Sequence, residues 1–213
     1  AIITAENLIN TGKLIGSTTE GFDGTLNLAT LSNSDTGTIQ SSQDLNFNVK
    51  TSADNSGQIL VQRDLRIEAS DVDTTLALIN QADAVMQAGA ELNFKGTNNG
   101  DNVTLNTQAG TMLATDIDLK LSTLVNSGTL QSNQDMTLVV KNGLDNEGTI
   151  LSKNFLTTTA KALNNSGTLQ TEQGTTITAE SLENTGTLIG STLAGSATTL
   201  KLDTITNQSL IHT

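Results

Sequence analysis

Four aspartates stand where a cation or an acid–base pair could be built. Asp71 and Asp73 lie in Ser70-Asp71-Val72-Asp73-Thr74-Thr75, and Asp116 and Asp118 flank Ile117. On a strand, residues i and i+2 point to one face, so each pair offers two carboxylates side by side. A polysaccharide lyase or hydrolase needs more, namely a carboxylate cluster with a base nearby, often around calcium. Bases are scarce: the one His is His212, and the only Arg residues are Arg63 and Arg66. Arg66 sits between Leu65 and Ile67, so strand alternation turns it outward. Cys is absent, which excludes disulfides and thiolate metal sites. No Gly-rich calcium nonapeptide is present. The aspartates are read as solvated side chains. No catalytic residue, metal site or cofactor is expected.

The elements that carry these residues are set by a repeat. Leu8-Ile9-Asn10-Thr11-Gly12-Lys13-Leu14 returns as Leu124 to Leu130, Leu144 to Ile150, Leu163 to Leu169 and Leu182 to Leu188. Ala53 to Ile59 is a weaker copy, with Asn55 and Gly57. Near Asn33 the Gly slips to Gly37, and at Asn207 it is lost. A period of about 20 residues means stacked units, each packing on its neighbours. Within a unit the apolar residues alternate, as in Leu45, Phe47, Val49 and in Met136, Leu138, Val140. Period two predicts strands buried on one face. Such units close only as coils whose strands pair in parallel with the next coil. The expected fold is all-β, a right-handed parallel β-helix of about nine to ten coils. Leu130, Ile150, Leu169 and Leu188 should form one buried column, and Leu124, Leu144, Leu163 and Leu182 a second.

The turns read as a structural ladder made by Asn10, Asn55, Asn126, Asn146, Asn165 and Asn184, with Gly12, Gly57, Gly128, Gly148, Gly167 and Gly186. Stacked Asn side chains can hydrogen-bond their copies above and below. Gly is expected there for its tolerance of positive φ. Between Asn55 and Asn126 the signature fades, and two coil starts are placed near Gln81 and Thr107. This divergent middle, about 60–123, holds two extra segments. Ser70–Thr75 is one. Gly96–Asn102 is the other, an ordinary long turn or a projecting hairpin over Asn99-Gly100. Both are expected to leave the rod, so Asp71, Asp73, Asn98, Asn99 and Asp101 are candidate binding-loop residues.

Composition narrows the function classes. The 213 residues include four Phe and no Tyr, Trp or Pro. A narrow aliphatic interior and fully paired strands follow. The net charge of −12, without a basic patch, argues against nucleic acid and anionic membranes. No stretch approaches a bilayer-spanning run. Residues 1–213 are read as one solenoid segment of a longer filament and as a monomeric rod. Ile3 to Thr18 also matches Ile177 to Thr192, a duplication of coils in blocks.

Asn-x-Gly-Thr-Leu, then polar residues, Leu-x-Leu and Leu-x-Asn, resembles the haemagglutinin repeats of filamentous haemagglutinin and of contact-dependent growth-inhibition exoproteins. The resemblance covers nearly the whole chain and is weakest from about Leu60 to Thr123. It implies a stalk segment of a large exoprotein at the surface of a Gram-negative bacterium. It also implies an outer-membrane two-partner-secretion transporter as partner, and a receptor on a host or neighbouring cell for the distal region. It carries over no catalytic residue. The alternatives are a receptor- or glycan-binding module using the middle loops, and a polysaccharide-degrading β-helix enzyme.

Overall fold

The computed structural model describes residues 1–97 and 101–213. Among them are 22 strands and no helix, and every recorded strand pairing is parallel. The chain winds about ten coils of about 21 residues. A ten-stranded sheet takes one short strand from each coil. These are β2 (Lys13–Ile15), β4 (Thr38–Ser41), β6 (Gln58–Val61), β9 (Val85–Ala88), β12 (Thr111–Ala114), β14 (Thr129–Ser132), β16 (Thr149–Ser152), β18 (Thr168–Thr171), β20 (Thr187–Ile189) and β22 (Leu210–His212). A 12-stranded sheet takes the longer ones. These are β1 (Ile2–Asn10), β3 (Gly24–Asn33), β5 (Leu45–Asn55), β7 (Leu65–Ala69), β8 (Leu76–Asn80), β10 (Glu91–Lys95), β11 (Val103–Gln108), β13 (Asp116–Asn126), β15 (Met136–Asn146), β17 (Phe155–Asn165), β19 (Gly174–Asn184) and β21 (Thr198–Asn207).

Each long strand bends once. In β15, Met136, Leu138 and Val140 are buried, Lys141 and Asn142 are exposed, and Leu144 and Asn146 are buried again. A coil therefore has three inward-facing runs separated by three corners. The first corner is the bend, the second the Asn-x-Gly turn, and the third leads from the short strand into the next coil. Pairing slips at the first corner, between Val140 and Gly143 and again between Leu28 and Thr30. The bend tolerates an added residue there without disturbing either flanking run.

Both expected columns are present. Leu130, Ile150, Leu169 and Leu188 pair in register and are fully buried. Leu124, Leu144, Leu163 and Leu182 do the same on the second side. Stacking puts each aliphatic side chain on its own kind, so alternation within one coil becomes a continuous core along the rod. Truncating one such Leu to Ala costs about 2–5 kcal/mol.

The two extra segments both fall at the first corner of adjacent coils. Val49 pairs with Ala69 and Ala53 with Leu78, so residues 50–52 of one coil face residues 70–77 of the next. Residues 96–102 open the following coil at the same place. The flanking strands β10 and β11 both run parallel to β13 and so form no hairpin with each other, while the Asn99-Gly100 turn lies outside the described residues. Asn98 and Asn99 lie outside the described residues.

The reason for Gly in the turns differs from the expected one. Positive φ occurs at Gly21, Gly195 and Asp83, and at none of the turn glycines. What excludes a side chain is the preceding coil. A Cβ on Gly148 would lie 2.2 Å from the Gly128 carbonyl oxygen, and one on Gly167 2.1 Å from that of Gly148. Those oxygens are held in place by the strand beginning above them, as in Thr149 N–H to Gly128 O at 2.8 Å. Gly12 opens the stack and has nothing within 4 Å of such a Cβ. Gly148→Ala should therefore lower the melting temperature by several degrees, whereas Gly12→Ala should leave it nearly unchanged; equal effects would show that the backbone conformation sets the preference. A second test lies in the core. Thr158 stands between Leu138 and Ile177, is fully buried, and its hydroxyl has no partner among the described residues. Thr158→Val removes an unpaired buried polar group and should stabilise the chain by about 1–3 kcal/mol in urea unfolding.

Candidate functional site

A row of buried amide side chains lines the second corner of this rod. Asn10 Nδ2 donates to Asn33 Oδ1 at 2.7 Å, Asn33 to Asn55 at 2.7 Å and Asn55 to Asn80 at 2.9 Å. Asn126 donates to Asn146 at 2.8 Å, Asn146 to Asn165 and Asn165 to Asn184 each at 2.7 Å, and Asn184 to Asn207 at 2.8 Å. The same Nδ2 groups reach turn carbonyls, such as Asn10 to Gly12 O at 3.1 Å and Asn146 to Thr168 O at 3.0 Å. An inward polar side chain is costly unless paired, and stacking supplies its pair in the next coil.

Two members of this row are one residue away from the expected starts. Asn80, not Gln81, accepts from Asn55, and Gln108, not Thr107, accepts from Asn80 at 3.0 Å. The first start is disguised by a longer turn, 81–84, in which Asp83 takes φ 67° and Ala84 stands where other coils have Gly. The second is disguised by Gln in place of Asn and by a pairing slip between Leu105 and Gln108. The longer Gln108 side chain turns its Nε2 to Gly110 O at 2.9 Å and Thr129 O at 3.1 Å. Asn126 Oδ1 is left buried with no partner among the described residues. The amide row is thus broken once, between Gln108 and Asn126.

The aspartate pairs have structural neighbours. Asp71 takes Lys50 at 2.9 Å and the Asp73 amide at 2.9 Å. Its carboxyl is held below the usual carboxylate range, first by the Lys50 hydrogen bond and then by the Asp73 amide. A carboxyl depressed in the folded state adds stability at neutral pH that is lost as pH falls through its folded pKa, in the acid range. Asp73 is exposed. Asp118 pairs with Lys120 at 3.2 Å, and Asp116 Oδ1 accepts the Asp135 amide at 3.0 Å. Asp116 belongs to a row of acids at the third corner: Asp44, Asp64, Glu91, Asp116 and Asp135 precede Leu45, Leu65, Leu92, Ile117 and Met136, which stack in register. Asp64 Oδ1 accepts the Glu91 amide at 3.1 Å, and Asp135 Oδ1 the Phe155 amide at 3.2 Å. Arg63 meets Asp44 at 3.1 Å, and Arg66 bridges Asp44 and Asp64. Among the described residues, no group of three or more His, Cys, Asp or Glu is placed to hold a metal.

The two first-corner segments are joined. Asn102 is buried, and its Nδ2 donates to Asp71 O at 2.6 Å and Thr74 O at 3.3 Å. Asp101 is exposed and pairs with Lys141. Asp71, Asp73 and Asp101 therefore share one corner, and moving one segment would move the other.

A further surface went unremarked in the sequence. The outward positions of the ten-stranded sheet stack as Ile15, Gln40, Leu60, Gln87, Leu113, Gln131, Leu151, Gln170, Ile189 and His212. Beside them run Thr38, Thr111, Thr129, Thr149, Thr168 and Thr187. From β4 through β20 these strands carry no acid or base. The alternation of Gln with Leu or Ile spans coils rather than neighbours in sequence, so only the alignment of coils reveals it.

Residues 113–186 and 156–209 match the model of the haemagglutinin repeat family. Residues 113–209 are thus similar to haemagglutinin repeats. No curated protein and no solved structure matches the chain. The matched haemagglutinin repeats cover the coils with unbroken long strands β13, β15, β17 and β19 and two-residue Asn-x-Gly turns. Residues 1–112 hold the longer turns 34–37 and 81–84 and both first-corner segments, so the spacing on which a repeat is recognised is lost there. The break in the amide row lies just before the regular stretch. Gln108→Asn should restore the missing bond to Asn126 Oδ1 and raise stability by about 1 kcal/mol in urea unfolding. A loss of stability would show that the Gln108 carbonyl bonds outweigh the orphaned acceptor.

Proposed function

We propose that the chain is a stalk segment of a large secreted bacterial surface exoprotein, of adhesin or growth-inhibition type. It holds a distal binding or toxin region away from a Gram-negative cell. The observation that carries this reading is the uninterrupted stack: every coil repeats the same three corners, and each adds length without changing the cross-section. The haemagglutinin repeats support export through an outer-membrane two-partner-secretion transporter. No chemistry is asked of the segment; its work is geometric. Parallel ladders satisfy the backbone between coils, and buried aliphatic columns make the rod stiff.

A second reading is favoured by one observation. Asn102 ties the end of one first-corner segment to Ser70–Thr75 of the other, which sets two neighbouring segments on a rigid scaffold. As a binding module, the chain would recognise a receptor through Asp71, Asp73 and Asp101, with Asn98 and Asn99 as further candidates.

Small-angle scattering should give a rod of about 45–50 Å, from ten coils at about 4.8 Å each. Repeating residues 127–165, two coils, should lengthen it by about 10 Å at constant cross-section. A compact particle, or a thicker one on coil insertion, would sink the stalk reading. Retained binding of a surface receptor by the isolated segment, lost when both loops are shortened together, would favour the second.

A further inference from the structure

We infer that the uncharged face of the ten-stranded sheet is a pairing surface for a second copy of this chain, with the two rods side by side and running the same way. This inference rests on the surface of the rod and not on its role in export or display. It departs from the single rod expected from sequence.

Charge chooses the face. The chain carries a net −12, so two copies repel wherever their acids meet. The outer face of the long strands presents Arg66, Glu68, Lys95, Asp118 and Lys120. Bringing two such faces together would strip water from charges, at a cost that surface ion pairs rarely offset. The strip formed by β4 to β20 has only Thr, Gln, Val and aliphatic side chains outward. A shallow concavity of about 460 Å³ at one end of it is lined by Gln40, Leu60, Gln62 and Gln87 and by no charged residue. Leu60, Leu113, Leu151 and Ile189 supply apolar area, and the Gln and Thr between them can donate and accept across a contact. The flanking corners are polar, which gives the apolar-centre and polar-rim arrangement of protein interfaces.

The area sets the strength. Eight strands at about 4.8 Å, with an outward width of about 10–12 Å, offer about 400–450 Å² per copy. The total of about 800–900 Å² lies below the size of stable specific contacts and in the range of weak, transient ones. A segment of this length should pair weakly. Pairing should tighten as coils are added, because each coil brings another rung already aligned.

The rims set the direction. One edge of the strip is the third corner, with Asp44, Asp64, Glu91, Asp116 and Asp135. The other is the second corner, where most turns carry a neutral residue such as Ser56, Ala109, Ser127 or Ser166. Rods related by a two-fold axis along their length set each acidic rim against a neutral one. Rods running oppositely would set acidic rim on acidic rim.

Sedimentation equilibrium from about 10 µM to about 1 mM, a range suited to weak interfaces of this size, tests the contact. The wild type should move from monomer toward dimer. Leu113→Asp with Leu151→Asp should weaken association at least tenfold while the thermal melt stays within a few degrees. Thr157→Asp with Thr178→Asp adds the same charge to exposed positions on the long-strand face and should weaken it far less. Direction is read from a spin label on Gln40→Cys, which is unique because the chain has no Cys. Same-way pairing brings the two labels close; opposite pairing separates them by about seven coils, about 34 Å. A chain monomeric throughout would overturn the proposal, even if it co-sediments with an insoluble glycan, which would assign the strip to a saccharide. Association untouched by the strip variant, or lost equally in both variants, would also overturn it, and a long label distance would overturn the direction.

Discussion

Everything in this rod answers to one spacing. Parallel strands in neighbouring coils lie about 4.8 Å apart, and each position must accept its counterpart at that distance. The constraint acts differently by chemistry. Aliphatic side chains gain from it, since Leu on Leu excludes water along the whole length. Amides gain from it, since Nδ2 of one coil reaches Oδ1 of the next. Turn backbones are squeezed by it, so that a carbonyl oxygen occupies the space a Cβ would need at Gly148 and Gly167. Carboxylates at the third corner survive it because Asp44, Asp64, Asp116 and Asp135 each accept an amide from the coil that follows, and because two arginines stand against the first two of them.

Much of this was legible in the sequence because period and alternation are properties of the chain itself. The Leu columns followed from spacing alone, and so did the parallel coil. What was hidden depended on what lies opposite. Gly was expected for its conformational range, yet its reason is steric and belongs to the neighbouring coil. Asn80 and Gln108 were each placed one residue away, since a longer turn and a Gln disguise them. The tie between the two first-corner segments, through Asn102, joins residues 31 apart and has no sequence signature. The uncharged strip was invisible for the same reason: its Gln and Leu alternate across coils.

The duplicated block gives an internal control. Ile3 and Ile177 begin matching stretches, and the offset of 177 − 3 = 174 also carries Gly21 onto Gly195. These are the two glycines with positive φ, at 78° and 87°. The turns that follow the matched stretches, Thr19 to Gly24 and Leu193 to Thr198, share only this Gly, yet both place it at positive φ. At these two turns Gly is kept for its backbone conformation, with open space around it, while at the stacked turns it is kept because the neighbouring coil leaves no room for a Cβ.

The amide row has a sense. Asn10 donates to Asn33, Asn33 to Asn55, and so on toward the C-terminus, so that, except across the break between Gln108 and Asn126, each coil accepts from the one before and offers a donor to the one after. The backbone ladder bonds in both directions, Thr38 N–H back to Gly12 O and Gly24 N–H forward to Asp44 O, and its partners too lie one coil away. A polypeptide built this way has no contact that waits for its far end. Each coil finds a finished template in its predecessor and becomes the template for its successor. Order can then spread along the chain as a front, coil by coil, while the remainder is still unfolded. That is the property a long polypeptide needs if it is to be threaded through a narrow opening and take shape as it emerges.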